Sequence, residues 1–454
     1  MFRLIRYTFY FLILGSLSLV TFAQVHIKPL PSTGYEDRIR QFVDDMIIID
    51  THEHLLNPMK IEQYTSLDFT LLLNLYSQID IRSAGMSSGT FKMLMKDSLS
   101  ISEKWQILKP YWESSQNTAF NRVALLAADK LFGIKDINEY TVSTLSDKIK
   151  TAYQNDDWFN KVLIEKCKIE YLIQDDYDHN RNFGNARFRY VERFDAFIKV
   201  NSKESIVAAS KNLKIETLDE FVKALEMTFN NAMSKGIVGV KTFPTGSRII
   251  YFENVSKERA EEVFSLIMNS GDRASLSFEI VKQLQDYMMH RLLDLAQLNK
   301  LPVAIHTGFL SGISGLRITI DKTNAIFLAN LFSEYPYVNF VLYHGSFPYS
   351  GELTTLAKNY KNVYIDMCWL YTISPSYSER YLHEWIETVP ISKLMAFGGD
   401  YNNIENVYAH LLFAKEIIAR VLITKVRDCY ISESEAIYIA RQILHDNAMK
   451  LYKL

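Results

Sequence analysis

The chain predicts an α/β fold in which eight parallel strands close into a (β/α)8 barrel, and three observations predict it. Short apolar runs of strand length recur eight times; segments with 3.6-residue apolar spacing lie between the later ones; and three runs break off at a polar residue followed by a small-residue turn. Alternating strands and helices imply a parallel sheet, and eight such units imply a closed, TIM-type barrel. Strand 1 covers about 46–52, strand 2 is 168–174, strand 3 is 188–193 and strand 4 runs to Lys241. Strands 5 and 6 end at His306 and His344, strand 7 is 363–366, and strand 8 runs from Leu394 to Gly398 or Gly399. Helical spacing is plainest over Ser275–Leu298 and Asn324–Tyr335.

The strand intervals are uneven. More than a hundred residues separate strand 1 from strand 2, and the interval at about 57–160 is mostly helical in its periodicity. A long insertion on the first βα-loop belongs at the C-terminal mouth, where barrels of this architecture carry their catalytic groups. It is read as a helical cap over the site. A dimerisation arm fits the same pattern, which leaves a homo-oligomer open.

Composition sets outer bounds. With 48% hydrophobic and 22% charged residues, residues 24–454 can bury one large core, and a net charge of −2 gives no electrostatic reason for nucleic acid or an anionic membrane as partner. Cys167, Cys368 and Cys429 show no CxxC spacing and read as buried, inert thiols. Residues 1–23 read as a secretory signal peptide: Arg3 and Arg6 precede an uncharged apolar run from Tyr7 to Phe22, and Thr21-Phe-Ala23 offers small residues for cleavage before Gln24. The run is only a little short of a spanning helix, so an uncleaved anchor is the alternative. Cleavage implies a secreted, periplasmic protein without stable membrane association.

The chemistry sits at the strand ends. His52 and His54, one residue apart at the end of the apolar run from Ile47, project the same way from a strand and can chelate one divalent ion. Lys241, His306, His344 and Asp400 then follow at the ends of strands 4, 5, 6 and 8. His52, His54, His306 and Asp400 suit Zn²⁺ with an open position for water, whose pKa such an ion lowers towards roughly 7. Asp400 would act as the general base. His344, across the mouth, would polarise a carbonyl or bind a second ion, and Glu53, between the ligands, reads as structural.

That order, HxH followed by Lys, His, His and Asp, resembles the amidohydrolase superfamily of metal-dependent barrels, and within it the amidohydrolase-2 branch, including the domain fused to glutamine synthetase in nodulin-like proteins. Asp80-Ile-Arg-Ser-Ala-Gly-Met86, Lys109-Pro-Tyr-Trp112 with Arg122, Leu394 to Tyr401 and the closing Ile443 to Tyr452 carry the likeness, over roughly residues 45 to 454. The resemblance implies one metal in the mononuclear manner. In binuclear members a strand-4 lysine is carboxylated and bridges two ions, so Lys241 leaves a second ion open. Arg193, Arg82, Arg122, Trp112 and Trp369 are candidates for substrate contact, the arginines through bidentate recognition of a carboxylate. The implied activity is hydrolysis of a C–N or C–O bond in a small, carboxylate-bearing molecule. Lyase, decarboxylase or uronate-isomerase chemistry on the same scaffold is the alternative, although the uronate isomerase wording after strands 5 and 6 is not matched.

Overall fold

Eight short runs rich in Val, Ile and Leu form the strands β1 (Ile48–Glu53), β2 (Ile169–Asp175), β3 (Phe188–Arg193), β4 (Gly239–Thr242), β5 (Val303–His306), β6 (Phe340–Tyr343), β7 (Val363–Asp366) and β8 (Leu394–Met395). Their order in the sheet is their order in the chain, and each neighbouring pair from β1 to β8 is parallel. The computed structural model describes residues 34–57, 66–175, 185–211, 213–270, 276–311 and 320–454. The expected signal peptide, residues 1–23, and positions 58–65 of the expected insertion lie outside these described residues.

Regular pairing in β8 stops at Met395, short of the expected Gly398 or Gly399. The chain nevertheless continues alongside β1 and brings the barrel round on itself. Thr51 N–H donates to the Phe397 carbonyl (3.1 Å), Asp400 N–H to the His52 carbonyl (2.8 Å) and His54 N–H to the Tyr401 carbonyl (3.1 Å). Two glycines permit this approach. A Cβ on Gly398 would lie 2.5 Å from the Cβ of Cys368 and 3.0 Å from the His52 nitrogen, and one on Gly399 would collide with the Glu53 carboxylate. The irregularity thus follows from how tightly the last turn presses on β1.

Alternation along the strands sorts side chains into two layers. Ile48, Leu172, Val240, Val303, Phe340 and Val363 face outward into the large core shared with the helices. Ile49, Ile173, Val191, Ala304, Val341 and Met395 face into the barrel, where Ala448, Leu451 and Tyr452 of the helix Asn447–Tyr452 join them. The same alternation turns Lys241 and His306 inward with Gly239 and Ala304. β1 departs from it, with register shifts at Ile48/Ile49 and between Asp50 and Glu53, next to the HxH pair.

Between β1 and β2 the described chain is helical, with helices at Ser77–Ser83, Ser88–Leu94, Ile101–Ser115, Ala119–Phe132 and Val142–Ala152. Ser100 caps Ile101–Ser115 through a reciprocal box with Glu103, which fixes where that helix starts. Helix Ala119–Phe132 packs on Ile404–Arg427, the long helix after β8. Two expectations are corrected. Asn324–Tyr335 is not one helix but a 3₁₀ turn, Ala325–Leu328, followed by a short α-helix, Ala329–Glu334, since the Asn324 side chain caps Ile326 N–H too early for an α-helical start. Cys167 and Cys368 are buried as expected, but Cys429 is exposed, lying past the end of Ile404–Arg427.

Candidate functional site

The mouth of the barrel gathers six of the residues expected there. The His52 and His54 rings stand edge to face with centroids 4.6 Å apart, and each Nε2 faces Asp400 Oδ1, at 3.4 Å and 3.2 Å. One ligand atom from each of His52, His54 and Asp400 lies within 4.8 Å of the others. His344 Nδ1 lies 3.6 Å from Asp400 Oδ2, and His344 Nε2 meets His306 Nδ1 at 2.9 Å. Lys241 sits just below, its ammonium 3.6 Å from the centre of the Tyr343 ring, which itself packs 4.6 Å from the His52 ring.

Hydrogen-bond partners assign the tautomers. A carbonyl can only accept, so His54 Nδ1, 3.1 Å from the Asp175 carbonyl, carries the proton. Its Nε2 then presents a lone pair to the Asp400 carboxylate. At that separation either a proton or a metal cation bridges the two atoms, and two imidazoles with one carboxylate are a donor set for a divalent transition ion. The residues therefore fit a metal. His306 Nε2 likewise donates to the Phe309 carbonyl (2.9 Å) and His344 Nδ1 to the Cys368 carbonyl (3.2 Å), so His306 Nδ1 and His344 Nε2 face each other at 2.9 Å as a second pair of acceptors. His306 thus stands one side chain away from the His52–His54–Asp400 group, joined to it through His344.

The electrostatics follow from burial. Loss of solvent pushes His52 well below the ordinary histidine range, and the Lys241 charge adds to this. His306 is lowered by burial and by His344. His344 is lowered to about 4 by burial, against the opposing pull of Asp400. All three are neutral at neutral pH, as metal coordination and proton acceptance require. Burial alone would raise the Asp400 carboxyl, but His54, His344 and the Tyr76 hydroxyl together hold it below the usual carboxylate range. Deeper in, burial pushes Asp50 up to about 7 and Glu53 well above its ordinary value, the two carboxyls lying against each other. Glu53 accepts from Tyr401 N–H (2.8 Å), a structural task, as its place between the ligands implies.

Three residues of this mouth hold left-handed backbone without being glycine: His344 (φ 64°), Trp369 (φ 64°) and Asp400 (φ 59°). Each such residue costs about 1–3 kcal/mol and persists only where its surroundings over-determine it. At Asp400 the restraint is visible on both sides of the preceding peptide. Its own N–H is bound by the His52 carbonyl, and the Gly399 carbonyl accepts from His410 Nδ1–H at 2.9 Å.

The remaining expected residues take different positions. Trp369 is at the site, edge-on to His344 with centroids 5.2 Å apart and stacked on Tyr76 at 4.4 Å. Arg193 ends β3 beside the cluster, with its guanidinium fork closed on the Asp175 carboxylate at 2.6 Å and 2.5 Å. Trp112 is buried on helix Ile101–Ser115, Arg82 is half-buried on Ser77–Ser83, and Arg122 is exposed on Ala119–Phe132. Sequence reasoning missed Tyr76, Asp175 and His410. Asp175 was one residue beyond the expected end of strand 2; Tyr76 and His410 lie in helical stretches where nothing distinguishes them from packing residues.

Residues 271–454 match the family model described as amidohydrolase. The fluG protein of Emericella nidulans is 29% identical over 179 residues, 38% of this chain; that alignment spans about a fifth of the relative's length, 20%. Among solved structures, uronate isomerase from Thermotoga maritima superposes with a TM-score of 0.76 at 18% identity, covering 93% of this chain and 98% of that one. Glucuronate isomerase from Caulobacter crescentus gives 0.72 at 18% identity, covering 93% and 95%. At such identity these likenesses concern the fold, eight parallel strands in a barrel.

Proposed function

We propose that this chain, whose residues 271–454 match the amidohydrolase family model, is an amidohydrolase-superfamily enzyme and a zinc-dependent hydrolase of a C–N or C–O bond in a small, carboxylate-bearing molecule. The observation that carries the reading is the opposed pair of acceptors, His54 Nε2 and Asp400 Oδ1, inside a buried site. His52, His54 and Asp400 would hold one ion, which when bound supplies Lewis acidity towards a carbonyl oxygen and acidity to a water.

The protein's own groups supply the rest. Asp400, ionised and fixed from both sides of its peptide, accepts the proton of the attacking water and returns it to the departing nitrogen or oxygen. His344, neutral and held by the Cys368 carbonyl through its Nδ1–H, stands between His306 and Asp400, with Nδ1 3.6 Å from Asp400 Oδ2, where it orients that carboxylate. Trp369, Tyr76 and Phe309 close an apolar wall beside these groups and exclude bulk water. Tyr76 comes from the β1–β2 connection, which supports a capping role for that segment.

A second reading, isomerisation of a uronate, draws support from the near full-length fold likeness to uronate isomerases. One experiment separates the two. Purified protein is analysed for bound metal, then screened against amides, lactones and esters of small carboxylic acids and, in parallel, against uronates. Turnover of the first group, abolished by a chelator and lowered by about 10²–10⁴-fold in Asp400→Asn, supports hydrolysis. Turnover of uronates alone replaces it with the isomerase. The reading also takes residues 1–23 as a leader removed on export to the periplasm. N-terminal sequencing should begin at Gln24, and an intact Met1 in a membrane fraction would refute export with cleavage.

A further inference from the structure

Lys241 is a strongly basic group of the site that the mechanism leaves unused, and its surroundings are unusual. Its side chain is fully buried, and its ammonium has no hydrogen-bond partner among the described residues. The nearest acidic groups are committed elsewhere. Asp175 is closed in a fork by Arg193, Asp400 faces three histidines, and Asp366 accepts from Cys368 N–H at 2.8 Å through one oxygen while its other oxygen makes no bond to Lys241. The Tyr343 ring face below is a weak partner for a charge that has given up its water. Burial lowers Lys241 to about 8, which still leaves most of it protonated at neutral pH.

Charge counting points the same way. Lys241 and Arg193 balance Asp175 and Asp400, the histidines are neutral, and Asp366, raised by burial to about 7, adds at most one further negative charge, less than a divalent ion supplies. A divalent ion on the His52–His54–Asp400 group therefore leaves the mouth with a surplus of positive charge, in surroundings where unpaired charge is strongly disfavoured. We propose that Lys241 is the anchor for a carboxylate of the substrate, so that the site selects molecules bearing one anionic group beside the bond to be broken. This rests on the hydrolase reading for the bond, but not for the anion. The arginine expected to bind that carboxylate, Arg193, has its fork closed on Asp175, and Lys241, next to it in register across β3 and β4, takes the role instead.

Binding can be measured without turnover. Zinc-loaded full-length protein is titrated calorimetrically with acetate, propionate and benzoate and with the three corresponding amides, which match them in shape but lack charge. The wild type should prefer at least one carboxylate to its amide by tenfold or more. In Lys241→Met, which keeps the length of the side chain, that preference should vanish while zinc content stays at the wild-type level. Equal binding of acids and amides by the wild type overturns the proposal and needs no variant. So does a preference that survives in Lys241→Met, since the metal alone would then hold the anion. Loss of zinc from Lys241→Met, with a carbamate carbon signal in wild-type protein equilibrated with ¹³C-bicarbonate, would make Lys241 a metal ligand instead. Failure to hydrolyse any amide, lactone or ester would sink the hydrolase reading while leaving the carboxylate preference intact.

Discussion

Replacing His410 by Phe tests whether the metal site depends on a residue that cannot touch the ion. His410 is buried on Ile404–Arg427, packed against Phe397 (5.2 Å) and Tyr371 (5.9 Å), and its Nδ1–H is the bond described for the Gly399 carbonyl. Phe conserves the ring packing and removes that donor. A buried carbonyl left without a partner costs about 1–3 kcal/mol, which should appear as lower stability at neutral pH. The freed peptide lets Asp400 relax from its left-handed conformation, and losing such an outer hydrogen bond typically costs about 10–100-fold in metal affinity. His410→Gln, whose amide can donate, should recover part of the affinity. Acid provides a further check. Burial lowers His410 from 6.5 to about 4, so its neutral form favours the folded protein above pH 6.5, and that stability is lost as the pH falls towards 4. The shift corresponds to about 3 kcal/mol at most. His410→Phe lacks this component, so its deficit against the wild type should shrink on acidification. Zinc affinity comes from competition with a chelator, and stability from urea unfolding across the same pH range. Unchanged zinc affinity together with a pH-independent deficit would refute the reasoning and leave His410 as packing alone.

Other perturbations isolate single links. Gly399→Ala places a Cβ on the Glu53 carboxylate and 3.2 Å from Val407; soluble yield should fall, with a cost of about 1–3 kcal/mol or more from overpacking, whereas Gly351→Ala, whose Cβ would meet only the Tyr381 hydroxyl at 3.7 Å, should behave as wild type. Equal melting temperatures for the two variants would count against tight closure. His54→Ala should lose the metal, and His344→Ala should retain it while losing activity; atomic absorption on both proteins decides, and zinc loss from His344→Ala would move that residue into the ligand set. Tyr76→Phe keeps the stack on Trp369 but removes a hydroxyl that helps hold the Asp400 carboxyl low. The carboxyl should rise, so the acidic limb of the pH–activity profile should move to higher pH, and an unmoved limb would disconnect Tyr76 from the site.

How far the sequence could be read depended on where each interaction lies along the chain. Strands whose ends coincide with a change from apolar to polar residues were placed closely: β3 and β7 match their expected bounds, and β5 ends at His306 as expected. The residues gathered at the mouth were legible because each stands at or shortly beyond such an end. β8 was overextended because an apolar run bounded by glycines looks the same whether it pairs regularly or is bent against β1. Asp175, Tyr76 and His410 were invisible for a different reason. Their importance comes from partners more distant in sequence, the Arg193 fork, Asp400 and the Gly399 carbonyl, and nothing in the local pattern reports these. Arg193 was expected to be a free cation because a sequence cannot show that a carboxylate on the next strand already occupies it.

The helix Asn447–Tyr452, which seals the barrel interior from below, also sets when the site can exist during synthesis. The carboxylate of Asp50 reaches Gly399 across 349 residues of chain, and the inner layer is completed only by Ala448, Leu451 and Tyr452. A ribosome delivers Ile49 and the two histidines well before these closing residues. Until then the inward faces of the eight strands have no floor, and until residue 400 is added His52 and His54 have no Asp400 to face. The nascent chain therefore carries the histidine pair long before the carboxylate it faces in the folded barrel.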